Sequence, residues 1–196
     1  MNKFLITGTP RSRTAWFAAL CNTVAADVRC YHEPLKYMTK WQDVYDMWQD
    51  GISYTGSLGV SDHSLGFHLK EILHVKKPRT LVIVRDKAEV EQSLKNIGAY
   101  TPGYIDLLLE RLFDGLGEGE TLGVNYESLT DSSFVCQCIK HLLPNYSINL
   151  NKVEAMMELN IQASAAEALR IAHRRVHDMP ALIGQDVLDE LKRRNG

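Results

Sequence analysis

The segment Phe4-Leu5-Ile6-Thr7-Gly8-Thr9-Pro10-Arg11-Ser12-Arg13-Thr14-Ala15-Trp16 constrains this chain more than any other. A short apolar run reaches a breaker at Gly8. A helix-compatible stretch then runs from Thr14 to Ala26, with Phe17, Leu20 and Val24 on one face. The pattern describes a buried strand, a tight loop and a helix. Such a loop presents backbone N–H groups at the positive end of the helix dipole, where a phosphate or sulfate binds. Arg11 and Arg13 lie inside it, with Ser12 and Thr14 beside them. The first element is therefore a candidate anion site.

The remaining elements alternate. Val28–Tyr31 reads as a second short strand. A helix carrying Trp41, Val44, Tyr45 and Trp48 at i, i+3, i+4, i+7 spacing follows. Gly51, Gly56, Gly59 and Gly66 mark 51–66 as loop. Further strands are predicted at Phe67–Lys70, Thr80–Val84 and Thr121–Asn125. Helices are predicted around Val90, Leu94 and Ile97, from Ile105 to Leu116, and around Val135, Cys138, Ile139 and Leu142. After Pro144 the chain reads as helical. Strands separated by helices predict one α/β domain over residues 1–196. Its expected architecture is P-loop-like and three-layered, α/β/α, with a parallel sheet of about five strands and a helical C-terminal third. Ligands of such sheets bind at the carboxyl ends of strands.

Not every anion fits the first loop. A Walker A loop needs a second glycine followed by lysine and a hydroxyl residue. Counted from Gly8, those positions hold Arg13, Thr14 and Ala15. No lysine is available for β- and γ-phosphates, which argues against a nucleoside or nucleotide kinase. A second strand-to-helix junction supplies the contrast. The run Thr80-Leu81-Val82-Ile83-Val84 ends at Arg85-Asp86, and Ser93 follows eight residues after Arg85.

These two segments resemble the donor-binding motifs of the PAPS-dependent sulfotransferases. Pro10-Arg11-Ser12-Arg13-Thr14-Ala15-Trp16 is similar to their 5′-phosphosulfate loop, written P-K-S-G-T-T-W or P-R-S-G-T. Arg85 and Ser93 match the anchors of the R-D-P-x-x-x-x-x-S pattern that holds the 3′-phosphate, with Lys87 in place of proline. Tyr31-His32-Glu33-Pro34-Leu35 resembles an E-P segment of bacterial carbohydrate sulfotransferases. Val124-Asn125-Tyr126-Glu127-Ser128-Leu129 resembles the V-x-Y-E-D-L segment late in the sheet. The resemblance covers about residues 3–130 and matches the small soluble bacterial or phage-type members.

The resemblance implies a transferase that moves a sulfuryl group from PAPS to a hydroxyl or amine acceptor, a small molecule or carbohydrate, and releases PAP. It places Pro10, Arg11, Ser12, Arg13, Thr14, Ala15, Trp16, Arg85, Ser93 and Tyr126 around the nucleotide. Arg11 takes the position of the family's catalytic lysine. A guanidinium stays charged at neutral pH, so its role is electrostatic and not acid catalysis. Arg13 stands where the family has glycine, a residue that enters positive φ freely, and an arginine there is expected to bar that geometry. The candidate bases are Glu33, its neighbour His32, and His68 in Gly66-Phe67-His68-Leu69-Lys70, a loose match to a K-x-H strand. Lys70 is a candidate partner of the donor sulfate, and His173-Arg174-Arg175 a candidate cover for the 3′-phosphate. No metal is implied. The alternatives are a kinase on the same scaffold and a non-catalytic module that holds PAP or sulfate.

Composition narrows the partners. Charged residues make up 23% of the 196 and the formal net charge is −2, which leaves no global basic field for nucleic acid. No apolar run spans a bilayer, so no membrane partner is expected. Met1-Asn2-Lys3 leads straight into the first strand without a signal-peptide pattern, so the expected location is cytoplasmic. Cys21, Cys30, Cys136 and Cys138 make no zinc pattern and read as reduced thiols. Nothing in the sequence sets an oligomeric state.

Overall fold

The alternating apolar segments assemble into one parallel sheet. A computed structural model of the protein describes residues 2–36, 40–50, 56–159 and 185–195. The strands are β1 (Asn2–Gly8), β2 (Val28–His32), β3 (Ser57–Ser61), β4 (Arg79–Val84) and β5 (Thr121–Asn125), in the order β2-β3-β1-β4-β5. Every pairing is parallel. The described helices are α1 (Thr14–Val24), α2 (Asp43–Asp50), α3 (Leu69–Lys76), α4 (Lys87–Asn96), α5 (Tyr104–Gly115), α6 (Ser132–Leu142), α7 (Leu150–Met157) and α8 (Gln185–Asn195).

The period of two along each strand divides the core in two. Leu5, Leu58, Val60 and Val82 face one layer, packed with residues of α2, α3, α4, α5 and α8. Phe4, Ile6, Val28, Leu81, Ile83 and Val124 face the other, packed with α1, α6 and α7. The central strands are thus covered on both sides, which is why they read as continuous apolar runs. Each such fully buried side chain contributes about 1.5–3 kcal/mol over its exposed state. Trp16 joins the second layer, and its Nε1–H donates to the Met156 carbonyl at 2.8 Å. That bond ties the first helix to α7. Among the described residues no helix is long and apolar enough to cross a membrane.

One strand lies where the sequence predicts loop, and one predicted strand is helical. Ser57-Leu58-Gly59-Val60-Ser61 forms β3, buried throughout and paired on both edges. Its small residues answer close packing. A Cβ at Gly59 would lie 2.1 Å from the Phe4 ring, and Ser61 Oγ donates to the Thr14 carbonyl at 2.8 Å. Phe67–Lys70 instead spans the end of a 3-10 helix (His63–His68) and the start of α3. The Asp62 carboxylate caps that turn by accepting from Ser64 N at 2.9 Å. Leu65, Leu69, Ile72 and Leu73 then repeat at helical spacing against the core.

The four cysteines are free. Burial raises the thiol pKa of Cys30, with the neighbouring Cys21 adding to the effect, and pushes Cys138 up to about 11. Thiols so held are protonated at neutral pH and are not poised as nucleophiles.

Candidate functional site

Strand order determines where the site forms. The connection leaving β1 runs toward β2 and β3, while the one leaving β4 runs toward β5. Their loops diverge from adjacent strands, which opens a crevice at the carboxyl edge of the sheet. Residues 9–13 form one wall and Arg85-Asp86 the other. Thr9 N donates to the Ile83 carbonyl at 3.0 Å, and Arg85 N donates to Thr9 Oγ1 at 3.0 Å. The two walls are therefore tied through one buried threonine.

The first loop is wound for an anion. Arg11 and Arg13 both sit in the left-handed region, with φ of 63° and 64°. Each such non-glycine residue costs roughly 1–2 kcal/mol. Alternation with right-handed residues at this kind of turn makes a concave nest of N–H groups. The expectation that an arginine at position 13 bars positive φ is therefore corrected. Three contacts hold it there. Its Nη1 donates to the Leu129 carbonyl at 3.0 Å, and its guanidinium lies 5.5 Å from the Tyr126 ring and 5.9 Å from the Trp16 ring. Arg13 is also the N-cap residue of α1, and its side chain makes no capping hydrogen bond. The first-turn N–H groups, from Thr14 through Ala15 to Trp16, have no partner within the helix. Pro10 and Ser12 are buried at the base of the loop, and among the described residues the Ser12 hydroxyl has no hydrogen-bond partner. A buried hydroxyl without a partner costs about 1–3 kcal/mol unless a ligand completes it.

The second junction meets the first through side chains. Arg11 Nε donates to Ser93 Oγ on α4 at 3.3 Å, across 82 positions of sequence. Arg85 Nη1 donates to the Arg11 carbonyl at 3.2 Å, and its guanidinium stacks 4.5 Å from the Tyr126 ring. Arg85 does not pair with its neighbour Asp86, whose carboxylate caps α4 by accepting from Glu89 N at 3.0 Å. That cap supplies the helix start that Lys87 in place of proline gives up. Three guanidinium groups thus share this corner. Among the described residues, Glu89 is the only carboxylate paired with any of them.

On the other side of the first loop, β2 and β3 end in a carboxylate and imidazoles. Glu33 follows β2 with φ of 47°, and its N–H donates to the Ser61 carbonyl at 2.8 Å. The carboxylate Oε1 lies 3.6 Å from His63 Nδ1 and 3.8 Å from His32 Nε2. These are ion-pairing distances and not hydrogen bonds. The Glu33 and His63 side chains are only 13% and 12% exposed. His63 is the residue that sequence reasoning misses. It stands two positions after the end of β3, a strand hidden behind its glycine and serines. Its carbonyl accepts from Thr7 Oγ1 at 3.4 Å, which places it beside the end of β1.

The other candidates lie elsewhere. His68 is buried in the 3-10 turn and stacks on Trp41, with ring centroids 4.2 Å apart and planes 7° apart. Lys70 pairs with Asp114 at 3.2 Å on the half-exposed α3–α5 surface. His173-Arg174-Arg175 falls outside the described residues. Among those described, no group of three or more His, Cys, Asp and Glu side chains is disposed to hold a metal ion.

Along the carboxyl edge the sheet therefore offers, in order, a carboxylate with two imidazoles, a loop with two arginines, and Arg85 with Ser93. Chemically, this edge can hold an extended anion across two strands and take a proton at one end. No protein-family model matches this sequence, and no curated protein matches it.

Proposed function

We propose that this chain is a PAPS-dependent sulfotransferase of the P-loop-like α/β type, acting on a hydroxyl or amine acceptor. The observation that supports the reading best is the contact of Arg11 with Ser93 and Arg85, because it joins the two motif segments in one corner. In this reading the loop N–H groups, Ser12, Arg13 and Thr14 hold the 5′-phosphosulfate. Arg85 and Ser93 hold the 3′-phosphate, and Tyr126 backs the two arginines.

The reaction follows from that arrangement. The acceptor oxygen or nitrogen forms a bond to sulfur as the bond from sulfur to the bridging oxygen breaks. The bridging oxygen leaves on PAP with the electron pair. Arg11 and the loop N–H groups stabilise the charge that gathers there, and they are already oriented before the reaction starts. Glu33 takes the acceptor proton, with His63 and His32 beside it. A kinase reading lacks a lysine in the loop. The non-catalytic alternative predicts PAP binding without turnover.

Arg85→Ala tests the nucleotide assignment. Loss of a charge-assisted phosphate contact is expected to weaken PAP binding on the order of 30-fold, about 2 kcal/mol. Calorimetric titration reads this directly, and unchanged affinity removes Arg85 from the 3′-phosphate site.

A further inference from the structure

We propose that Glu89 sets how strongly this site discriminates a nucleotide carrying a 3′-phosphate from one that lacks it. The inference rests on the donor reading above and adds a specificity-determining residue that does not itself hold the ligand.

The Arg85 guanidinium is engaged along one edge, at Nη1 and on one face. Its Nε and Nη2 both meet Glu89 Oε2, at 2.9 and 2.8 Å. Nη1 donates to the Arg11 carbonyl, and one face lies on the Tyr126 ring. The Nε–Nη2 edge is the fork that grips a phosphate bidentately. That edge is already occupied by an anion from the protein itself.

Local sequence makes this contact unusual. Asp86 is the N-cap of α4 and Glu89 is the third residue beyond it, the two positions of a capping box. A glutamate there ordinarily reaches back to the N-cap N–H. Here its carboxylate passes that group and takes Arg85, one residue earlier in the chain. Asp86 alone caps the helix, so Glu89 is not needed for the helix start.

A ligand phosphate that takes the Arg85 fork must first displace the Glu89 carboxylate. The Glu89 side chain is 55% exposed, so displacement returns it to water at low cost. The carboxylate is a weak competitor and not a block. Its effect falls only on a ligand group that reaches Arg85. A nucleotide with a bare 3′-hydroxyl leaves the Arg85–Glu89 pair intact and binds at the loop alone. Glu89 therefore lowers affinity for PAP while sparing 5′-AMP, and it narrows the difference between them. A weaker hold on PAP also favours its release as product.

The test is calorimetric titration of the wild-type protein, Glu89→Gln, and the Arg85→Ala/Glu89→Gln double variant with PAP and with 5′-AMP. Glutamine keeps the shape and removes the charge. The expected result for Glu89→Gln is PAP binding about fivefold tighter, with 5′-AMP changed by less than about twofold. The gain is expected to vanish in the double variant. Unchanged or weaker PAP binding in Glu89→Gln overturns the inference, since the carboxylate then orients Arg85 or does nothing. An equal gain for both nucleotides also overturns it, because a general field effect acts without reference to the 3′-phosphate. If neither the wild type nor Glu89→Gln binds PAP, the donor reading falls together with this inference. PAP binding without the Glu89→Gln gain removes the inference alone.

Discussion

Glu33→Gln is expected to turn over the proposed reaction about 10²–10⁴-fold more slowly than the wild type, with PAP affinity changed by less than about twofold. The glutamine amide matches the carboxylate in shape but takes no proton. The substitution therefore leaves the backbone at φ 47° and the Glu33 N–H bond to Ser61 in place, and removes one chemical capacity. Glu33 belongs to the β2–β3 side of the first loop, and Arg85 and Ser93 belong to the β4 side. A loss confined to turnover is what that separation requires. Steady-state rates with PAPS and an acceptor panel, set beside PAP titration, distinguish the two sides. Full turnover in Glu33→Gln contradicts the assignment and moves the proton-accepting role to His63, 3.6 Å away.

Gly8→Val is expected to cost more than about 4 kcal/mol of stability, most of the margin of a domain at the low end of the usual range of about 5–15 kcal/mol. Gly8 ends β1 directly opposite Ile83 of β4, with φ of 151°. A Cβ there would lie 2.0 Å from the Ile83 carbonyl oxygen and 2.8 Å from its carbon. Those are backbone atoms in the middle of the sheet, so no rotamer change relieves the clash. The same Ile83 carbonyl accepts from Thr9, and Thr9 in turn accepts from Arg85. Forcing the strands apart therefore also separates the two walls of the crevice. Denaturant unfolding of the variant measures the loss. A midpoint equal to that of the wild type contradicts the close approach of β1 and β4 on which the site depends.

The parts of the fold that sequence reveals are those with a strong local pattern. Phe4-Leu5-Ile6 and Thr80-Leu81-Val82-Ile83 are buried on both faces, so they stand out as apolar runs without reference to the rest of the chain. Tyr104–Gly115 shows its helical stripe for the same kind of reason. β3 stays hidden because its requirements are tertiary. Glycine at 59 is demanded by the Phe4 ring, and serine at 61 by the Thr14 carbonyl, neither of which is near in sequence. Low strand propensity at Ser57, Gly59 and Ser61 is overridden by pairing on both edges. Phe67 and Leu69 alternate like a strand, yet the Asp62 cap and the wider spacing of Leu65, Leu69, Ile72 and Leu73 turn the segment helical.

The site divides along the same line. Arg11, Ser93 and Arg85 are recognisable from motif spacing, and the sheet brings them within contact of one another. The strained conformation of Arg13 depends on Leu129, Tyr126 and Trp16, which no local pattern around position 13 contains. His63 is invisible until β3 is known. His68 reads as catalytic only if 67–70 is a strand, and in the 3-10 turn it packs beneath Trp41.

The measurement that bears most directly on the central claim is calorimetric titration of the wild-type protein with PAP, alongside ATP with Mg²⁺. Saturable binding of PAP and at most weak binding of ATP–Mg²⁺ are expected, because the loop offers arginines, N–H groups and a buried serine but no lysine and no hydroxyl at position 15. Saturable binding of ATP–Mg²⁺ with none of PAP contradicts the claim, and assigns the crevice between β1 and β4 to phosphoryl chemistry.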